Sequence, residues 1–309
     1  MTKPKVIVIC GPTASGKTAL SIQLAKIING EIVSADSMQI YKEMNIGTAK
    51  PSVEEMDGIK HYLIDNVSPT IRYSVANYKK DALEAINEII QKGKTPIIVG
   101  GTGLYVDSLV NGIEYDDLEI DLNYREKLEK IADEKGLEEL YKKAIEIDAK
   151  AMEKISPNDK KRIFRVLEIY HSTGKTKTEQ EIESRKKENP YEFIVFAINM
   201  DREKLYERIN KRVDLMIENG LVDEVKSLIK KYDELPTAIQ GLGYKEVVSY
   251  LNDEISYDEM IEKIKQETRR YAKRQLTWFR RNKQIIWLDG LDDMQNNLQI
   301  ILKGVKGEE

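Results

Sequence analysis

The sequence predicts an α/β fold in which a parallel sheet is flanked by helices and interrupted by an inserted all-helical domain. Apolar runs of strand length, KVIVIC and TPIIVGG among them, alternate with stretches of helical period. Such runs are typical of strands buried on both faces, and their alternation with helices indicates a parallel sheet. A third observation is the highly charged stretch from about 115 to 188, which has helical period and no convincing strand.

The domain prediction follows from these patterns. Two apolar stripes at helical spacing, from Leu137 to Ile145 and from Ile163 to Tyr170, support the helical insertion. The predicted domains are an α/β core, 1–114 with 190–309, and the insertion, 115–189.

Before the insertion, the predicted elements alternate regularly. A strand near 5–10 leads into a glycine-containing loop and a helix that runs to about 28. GEIVSAD, at 30–36, is a short strand, and TPIIVGG is a strand at 95–101. Between these two strands, apolar residues at helical spacing predict a helix over about 75–92.

After the insertion, YEFIVFAINM, at 191–200, returns the chain to the sheet. A helix follows from about 202 to 218, with Asp201 as its N-cap. Ser256 opens the capping-box pattern S-x-x-E, which predicts the start of a final long helix. QIIWLDG, at 284–290, predicts one last strand.

The composition excludes several classes of protein. No apolar run approaches the roughly 18 residues of a membrane-spanning helix, and the first apolar run is interpreted as a core strand rather than a signal peptide. Cys10 is the only cysteine, which excludes a disulfide framework and a thiolate zinc site and predicts a cytoplasmic protein. The net charge is −4, and the chain is expected to be a monomer without a membrane partner.

GPTASGKT, residues 11–18, has the spacing G-x-x-x-x-G-K-[ST] between a predicted strand and a predicted helix. In such a loop the glycines permit a tight backbone path, and successive N–H groups point at phosphate oxygens. Lys17 would add a point charge and Thr18 a hydroxyl for Mg²⁺. The motif therefore predicts a P-loop NTPase-like core that binds a phosphorylated ligand through Gly11, Pro12, Thr13, Ala14, Ser15, Gly16, Lys17 and Thr18.

The motif does not say which reaction follows. An ATP hydrolase usually has a second strand that ends in an acidic Mg²⁺ ligand. TPIIVGGTG ends instead in Gly100, Gly101 and Thr102, and its glycines would let the backbone approach a ligand. Asp36, at the carboxyl end of the neighbouring strand, is then a Mg²⁺ ligand or a catalytic base, with a turn or capping aspartate as the alternative.

Basic residues point to anionic partners. Arg208 and Arg212, four residues apart on a predicted helix, could stabilise a departing diphosphate, although arginines on a charged helix are commonly solvated. KKRIFR, at 160–165, is locally basic, and RRYAKRQLTWFRRNK, at 269–283, interleaves seven basic residues with Tyr271, Trp278 and Phe279. The alternative for both segments is a solvated helix face.

Taken in order, GPTASGKT, SADSMQIYKEMNIGTAKP, VGGTGLY and SPNDKKRIFRVLEIYHSTGK make the chain similar to the bacterial tRNA dimethylallyltransferases, also called tRNA isopentenyltransferases. IQGLGYKEV and TRRYAKRQLTWFR extend the resemblance over about residues 6–288. It implies transfer of a dimethylallyl group from its diphosphate to the exocyclic amine of the adenine immediately 3′ of the tRNA anticodon. The carboxyl-terminal zinc finger of some eukaryotic members is absent, as the single cysteine requires.

The resemblance also implies roles for individual residues. Asp36 matches the family's general base, and Thr102 matches the residue near the adenine and its proton. Lys17 and Arg212 would hold the diphosphate, and Thr13 and Thr18 would complete that end of the site with a bridging Mg²⁺. The implied contacts with the tRNA anticodon stem-loop are Asp36, Ser37, Met38, Gln39, Thr102, Tyr124, Lys161, Arg162, Ile163, Phe164, Arg165, Gln240, Gly241, Leu242, Gly243, Tyr244, Lys245, Arg270, Lys273 and Arg274.

Other interpretations stay open at this point. They are a P-loop kinase acting on a nucleotide or small metabolite, an adenylate isopentenyltransferase that uses a free nucleotide, and a nucleotide-gated RNA-binding protein without bond-making chemistry. The first two leave the 269–283 cluster and the insertion without a task. KTKTE, at 175–179, is either a clamp on the anticodon stem or a solvated face.

Overall fold

The computed structural model describes residues 3–113, 121–186 and 188–308. The chain divides into two compact units, Met1–Val110 with Pro190–Glu309, and Asn111–Asn189. The first predicted domain boundary, between 114 and 115, lies outside the described residues.

The first unit contains a parallel sheet. Its strands are β1 Lys5–Cys10, β2 Gly30–Ser34, β3 His61–Tyr62, β4 Thr95–Gly100, β5 Glu192–Asn199 and β6 Ile286–Asp289. Across the described residues they run in the order β3-β2-β4-β1-β5-β6, and each neighbouring pair is parallel. The predicted α/β class is confirmed, with the strand at 30–36 ending at Ser34 rather than Asp36.

Helices of the first unit flank this sheet, and other helices belong to the second unit. In chain order they are α1 Lys17–Ile28, α2 Val53–Met56, α3 Val75–Gln91, α4 Gly103–Val110, α5 Leu122–Lys135, α6 Leu137–Met152, α7 Lys160–Thr173, α8 Lys177–Arg185, α9 Arg202–Glu218, α10 Leu221–Lys231, α11 Tyr244–Leu251, α12 Tyr257–Phe279 and α13 Met294–Lys306. A short 3₁₀ turn, Ala238–Gln240, precedes α11. Within the described ranges, these helices lack the uninterrupted apolar length that a lipid bilayer requires.

The sheet separates two apolar cores. Val6 and Val8 of β1 point into one core, and Ile7 and Ile9 point into the other. Helices α3, α4 and α10–α12 pack on the first face, and α1 and α13 pack on the second. Burial on both faces explains why the strand sequences are continuous apolar runs rather than alternating ones.

Most helix boundaries follow the sequence signals. Asp201 caps α9, and Ser256 opens a capping box at the start of α12. The prediction that α12 is the final helix is wrong, because α13 follows β6. The first turn of α13 contains two asparagines, which have modest helix propensity, and burial of Leu298 and Ile301 against the sheet stabilises the helix.

In its described residues, 111–113, 121–186, 188 and 189, the second unit contains helices α5–α8 and no strand. Helices α5, α6 and α7 share a core, whereas Ile145 and Tyr170, which end the two predicted apolar stripes, are exposed. In the KTKTE segment, Lys175 pairs with Glu183 at 2.8 Å and Lys177 pairs with Glu181. These ion pairs favour the solvated-face interpretation of this segment.

Candidate functional site

The loop between β1 and α1 has the backbone of a phosphate cradle. Gly11 and Gly16 have φ values of 145° and 91°, in the left-handed region that glycine enters without a steric penalty. A side chain at Gly11 would also lie 3.1 Å from the carbonyl oxygen of Ile198 in β5. The loop therefore turns sharply into the N-terminus of α1, where unpaired N–H groups attract an anion.

Two cations face this cradle. The Nζ of Lys17 donates to the carbonyl of Pro12 at 2.6 Å, and Nη2 of Arg212, from α9, donates to the carbonyl of Thr48 at 3.4 Å. Withdrawal from water and then the charge of Arg212 lower the pKa of Lys17 to about 8, against a smaller opposing effect of Asp36. Withdrawal from water also lowers the pKa of Arg212. Among the described residues neither cation forms an ion pair with a carboxylate, so the pair is suited to a bound polyanion.

The predicted Mg²⁺ position fits a cation that a ligand helps to hold. Thr18 is exposed at the start of α1, and the Oγ of Ser15 is buried in the same loop without a hydrogen-bond partner. The described residues contain no cluster of three His, Cys, Asp or Glu side chains arranged to hold a metal. A hard cation here would take most of its oxygens from a bound phosphate and water, as Mg²⁺ commonly does.

Asp36 lies just beyond β2 and forms a turn. Its Oδ1 accepts from the backbone N–H groups of Met38 at 2.9 Å and Gln39 at 3.3 Å. Within the described part of the chain Oδ2 accepts no hydrogen bond. One carboxylate oxygen therefore holds the turn, as in the turn-aspartate alternative, and the other is available to a ligand.

Thr102, at the end of β4, holds the residue that follows Asp36. Its Oγ1 accepts from the backbone N–H of Ser37 at 3.0 Å and donates to the Oγ of Ser37 at 3.3 Å. The backbone N–H of Thr102 donates to the carbonyl of Ala35 at 3.1 Å. The ends of β2 and β4 thus place Asp36 and Thr102 at one edge of the sheet.

The glycines of VGGTG leave no room for side chains, because protein groups lie close to them. A Cβ on Gly100 would lie 2.2 Å from the carbonyl oxygen of Ala35, and one on Gly101 would lie 2.1 Å from Nε2 of Gln275. A Cβ on Gly103 would lie 2.4 Å from the ring of Trp278. The close approach is made by β2 and α12.

Residues 45–49 form a wall of the site that Glu224 holds in place. Its carboxylate accepts from the backbone N–H groups of Asn45, Ile46 and Gly47 at 2.8, 2.8 and 3.1 Å, and from the Tyr244 hydroxyl at 2.6 Å. On the other side of this wall, Nε2 of Gln39 donates to the carbonyls of Thr48 and Ala49. The wall is therefore fixed from α10, α11 and the Asp36 turn.

Two cavities meet at the cations. The first, here called the Asp36 cavity, has a volume of about 350 Å³, and the second, the Pro51 cavity, has about 680 Å³. Residues that line both are Lys17, Thr18, Ala49, Arg212 and Met216. A ligand bound to Lys17 and Arg212 can therefore extend into either cavity. Arg208, one turn earlier on α9, is exposed and lines neither.

The Asp36 cavity gathers many of the predicted tRNA contacts. It is lined by Asp36–Gln39, by the segment 240–245 and by Arg274. Tyr244, however, is buried, and its hydroxyl donates to Glu224. Its side chain is therefore a structural element of the wall.

The basic helix α12 is divided between a core face and a solvent face. Phe279 is buried, and the indole N–H of Trp278 donates to Asp107 at 2.9 Å, so these aromatic side chains pack within the protein rather than offer stacking surfaces to RNA. Lys273 and Arg274 are exposed, and Arg270 pairs with Glu267.

In the second unit, the predicted contacts on α7 separate in the same way. Ile163 and Phe164 belong to its hydrophobic core, so an exposed contact for their side chains is corrected. Lys161 and Arg162 are exposed, and Arg165 is partly exposed. On α5, Tyr124 stacks on His171 of α7, with ring centres 3.7 Å apart.

The sequence prediction misses several site residues, among them Tyr271, Gln275 and Glu224. Tyr271 and Gln275 line the Asp36 cavity, and Glu224 holds its wall. Burial raises the pKa of Tyr271 to about 12, so its hydroxyl stays protonated. Tyr271, Gln275 and Trp278 follow i, i+4, i+7 spacing on a charged helix, a signal for one inward face.

Fold and site together define an α/β protein with a P-loop-type anion cradle that opens into a cavity containing a carboxylate. The family model described as IPP transferase matches residues 39–282. The tRNA dimethylallyltransferase of Acetivibrio thermocellus is 55% identical over 297 residues, which cover 96% of this chain and 95% of the relative. The chain therefore belongs to the IPP transferase family, as its motifs predict.

Solved structures agree with this membership. The full-length tRNA isopentenylpyrophosphate transferase of Bacillus halodurans is 41% identical, with a TM-score of 0.74 over 99% of this chain and 96% of that one. A eukaryotic dimethylallyltransferase acting on tRNA is 31% identical, with a TM-score of 0.80 over 99% of this chain and 80% of that one.

Replacing Arg212 tests the anion site. Arg212→Ala removes a charge-assisted donor, which is worth about 1.5–3 kcal/mol, so we expect inorganic diphosphate to bind roughly 10- to 100-fold more weakly. Isothermal titration calorimetry measures the affinity. Arg208→Ala is the matched control, and it should bind diphosphate like the unaltered protein. An equal loss in both variants would show that general charge, not the placed guanidinium, attracts the anion.

Proposed function

We propose that the protein transfers a dimethylallyl group from dimethylallyl diphosphate to the exocyclic amine of the adenine 3′-adjacent to the anticodon in tRNA. The observation that carries the proposal is the pair of desolvated cations, Lys17 and Arg212, at the cavity that also holds Asp36. A diphosphate suits the cations, and a carboxylate suits an amine that must lose a proton. The relatives named above are a tRNA dimethylallyltransferase and a dimethylallyltransferase acting on tRNA.

In the proposed reaction, the amine nitrogen attacks C1 of the dimethylallyl group. A C–N bond forms, the C1–O bond breaks, and its electron pair leaves on the diphosphate. Lys17, Arg212 and N–H groups of the 11–18 loop other than that of Thr13 stabilise that developing charge. Mg²⁺, held by Thr18 and by the diphosphate, would supply further charge neutralisation.

Asp36 is proposed to take the proton that the amine loses. An exocyclic adenine amine is a weak nucleophile because its lone pair is delocalised into the ring, so proton removal must accompany attack. The geometry supports this role because Oδ1 is held by Met38 and Gln39 while Oδ2 is available. Thr102 supports it by fixing Ser37, the next residue of the turn.

The tRNA is proposed to present an extruded adenine. A base in a stacked loop must leave its stack before its amine reaches a cavity, and side chains then hold the displaced loop. In the first unit, the exposed side chains of Lys273 and Arg274 on α12 can neutralise phosphates of the tRNA. Lys161, Arg162 and Arg165, together with Tyr124, are proposed contacts of the insertion.

A two-donor assay tests the proposed function. The protein is incubated with Mg²⁺ and unmodified tRNA, with either labelled dimethylallyl diphosphate or γ-labelled ATP. We expect label from the first donor to enter tRNA, at the adenine next to the anticodon. Label released or transferred from ATP, with none entering tRNA from the first donor, would favour a kinase or hydrolase instead.

Asp36→Asn tests the proposed base. The amide oxygen of asparagine can still accept from Met38 and Gln39, so the turn is retained while the proton acceptor is lost. Loss of general base catalysis is typically about 10²- to 10⁴-fold, and we expect kcat to fall by that order. The affinity for tRNA, measured by filter binding, should change little. Undiminished turnover would contradict the assignment.

The salt dependence of tRNA binding tests the α12 contacts. Each lost phosphate contact reduces the magnitude of the slope of log K against log salt by about one unit. In the double variant Lys273→Ala, Arg274→Ala this magnitude should therefore fall by about two units. Adding Arg270→Ala should change the slope less, because Glu267 already pairs with Arg270. Lys303→Ala, on α13, is the control. A slope unchanged in the double variant would assign these residues to a solvated face.

A further inference from the structure

Gln275 of α12 connects two loops that the proposed reaction must keep in register. Its Oε1 accepts from the backbone N–H of Thr13, in the phosphate loop, at 2.9 Å. Its Nε2 donates to the carbonyl of Gly101, in the loop that ends β4, at 2.9 Å. One buried side chain thus joins the cradle to the loop that contains Thr102.

The two partners determine which end of the amide faces which loop. A backbone N–H can only donate and a backbone carbonyl can only accept, so the amide oxygen must face Thr13 and the amide nitrogen Gly101. The absence of a side chain at Gly101 gives the amide its place, because a Cβ there would lie 2.1 Å from Nε2 of Gln275. The bridge is therefore directional and closely fitted.

Each loop leads to one reactant of the proposed transfer. From Thr13 the phosphate loop continues to Lys17, which would hold the diphosphate. From Gly101 the chain continues to Thr102, which fixes Ser37 beside Asp36. The Gln275 amide therefore links these two loops beyond the last paired residues of β1 and β4, Cys10 and Gly100.

We infer that Gln275 is a positioning residue that sets the distance between the diphosphate cradle and the Asp36–Thr102 edge, an inference that rests on the proposed function. The Thr13 N–H donates to Gln275 and is therefore not offered to a bound diphosphate, and the neutral amide of Gln275 adds no charge to the cradle. Its loss should therefore change the alignment of bound reactants more than their affinity. A misplacement of about 1 Å in reacting groups can cost roughly 100-fold in rate.

Gln275→Met provides the first test, because methionine has a similar length and makes neither hydrogen bond. The single-turnover rate of transfer is measured with saturating dimethylallyl diphosphate and tRNA. It is divided by the concentration of sites that bind inorganic diphosphate, so that unfolded protein does not count. We expect this rate to fall roughly 10- to 100-fold. The dissociation constants for diphosphate and tRNA should stay within about threefold. Ile301→Val, on the buried face of α13, controls for destabilisation and should keep its rate per competent site.

Gln275→Glu gives an independent readout and serves if the methionine variant does not fold. An ionised glutamate faces the Gly101 carbonyl without a donor, whereas a protonated glutamate restores one acceptor and one donor. The ratio of variant to unaltered single-turnover rate should therefore rise as the pH is lowered. A ratio that stays constant with pH would overturn the inference.

The outcomes separate the inference from the proposed function. If the unaltered protein transfers and Gln275→Met keeps its rate per competent site, only the inference is overturned. The same holds if the affinity for diphosphate falls by the same factor as the rate, because Gln275 would then serve binding alone. If the unaltered protein transfers nothing, the proposed function fails and the inference fails with it.

Discussion

Two positive charges are withdrawn from water at one edge of the sheet, and neither has a carboxylate partner in the described ion pairs. Desolvating a charge without a counterion is unfavourable, and the lowered pKa of Lys17 records that penalty. The fold tolerates the pair because carbonyl groups of Pro12 and Thr48 accept their hydrogen bonds and both charges open onto cavities. Binding of a polyanion to the two cations would offset the free-energy cost of their desolvation.

Polar groups around the site are engaged in hydrogen bonds of their own. Glu224 could neutralise a charge, yet its oxygens are occupied by three backbone N–H groups and the Tyr244 hydroxyl. Asp36 commits one oxygen to its own turn. The neutral amide of Gln275 makes the remaining connection across the site without adding charge. Positive charge at the cradle and the carboxylate of Asp36 therefore coexist in the lining of one cavity.

The sequence predicts those features whose physical cause is local. Continuous apolar runs identify β1 and β4, the glycine spacing identifies the cradle, and the S-x-x-E pattern identifies the start of α12. The family follows from long motifs. The protein groups that lie against Gly100 and its neighbours are not predictable, because what fills the space beside a glycine depends on distant segments. Ile163 and Phe164 stand within a basic motif but are core residues, which the apolar stripe that begins at Ile163 indicates for the first of them.

Long-range hydrogen bonds cannot be predicted from the sequence for the same reason. The bond from Thr13 to Gln275 spans 262 residues, and that from Asn45 to Glu224 spans 179. Nothing in a single sequence relates such positions, and glutamine or glutamate on a charged helix is usually solvated. The inward face of α12 is the exception, since its spacing of uncharged residues among basic ones carries a weak signal.

The contact between Gly100 and Ala35 limits how this site can change during evolution. Because the backbones of β2 and β4 touch there, any side chain at 100 would separate the strands that hold Asp36 and Thr102. Variation in acceptor preference cannot come from enlarging this edge by single substitutions. The side chains that line the cavity, such as Met38 beside Gly241, are free of this constraint. The backbone of this edge is therefore fixed, while the side chains around the cavity can be exchanged.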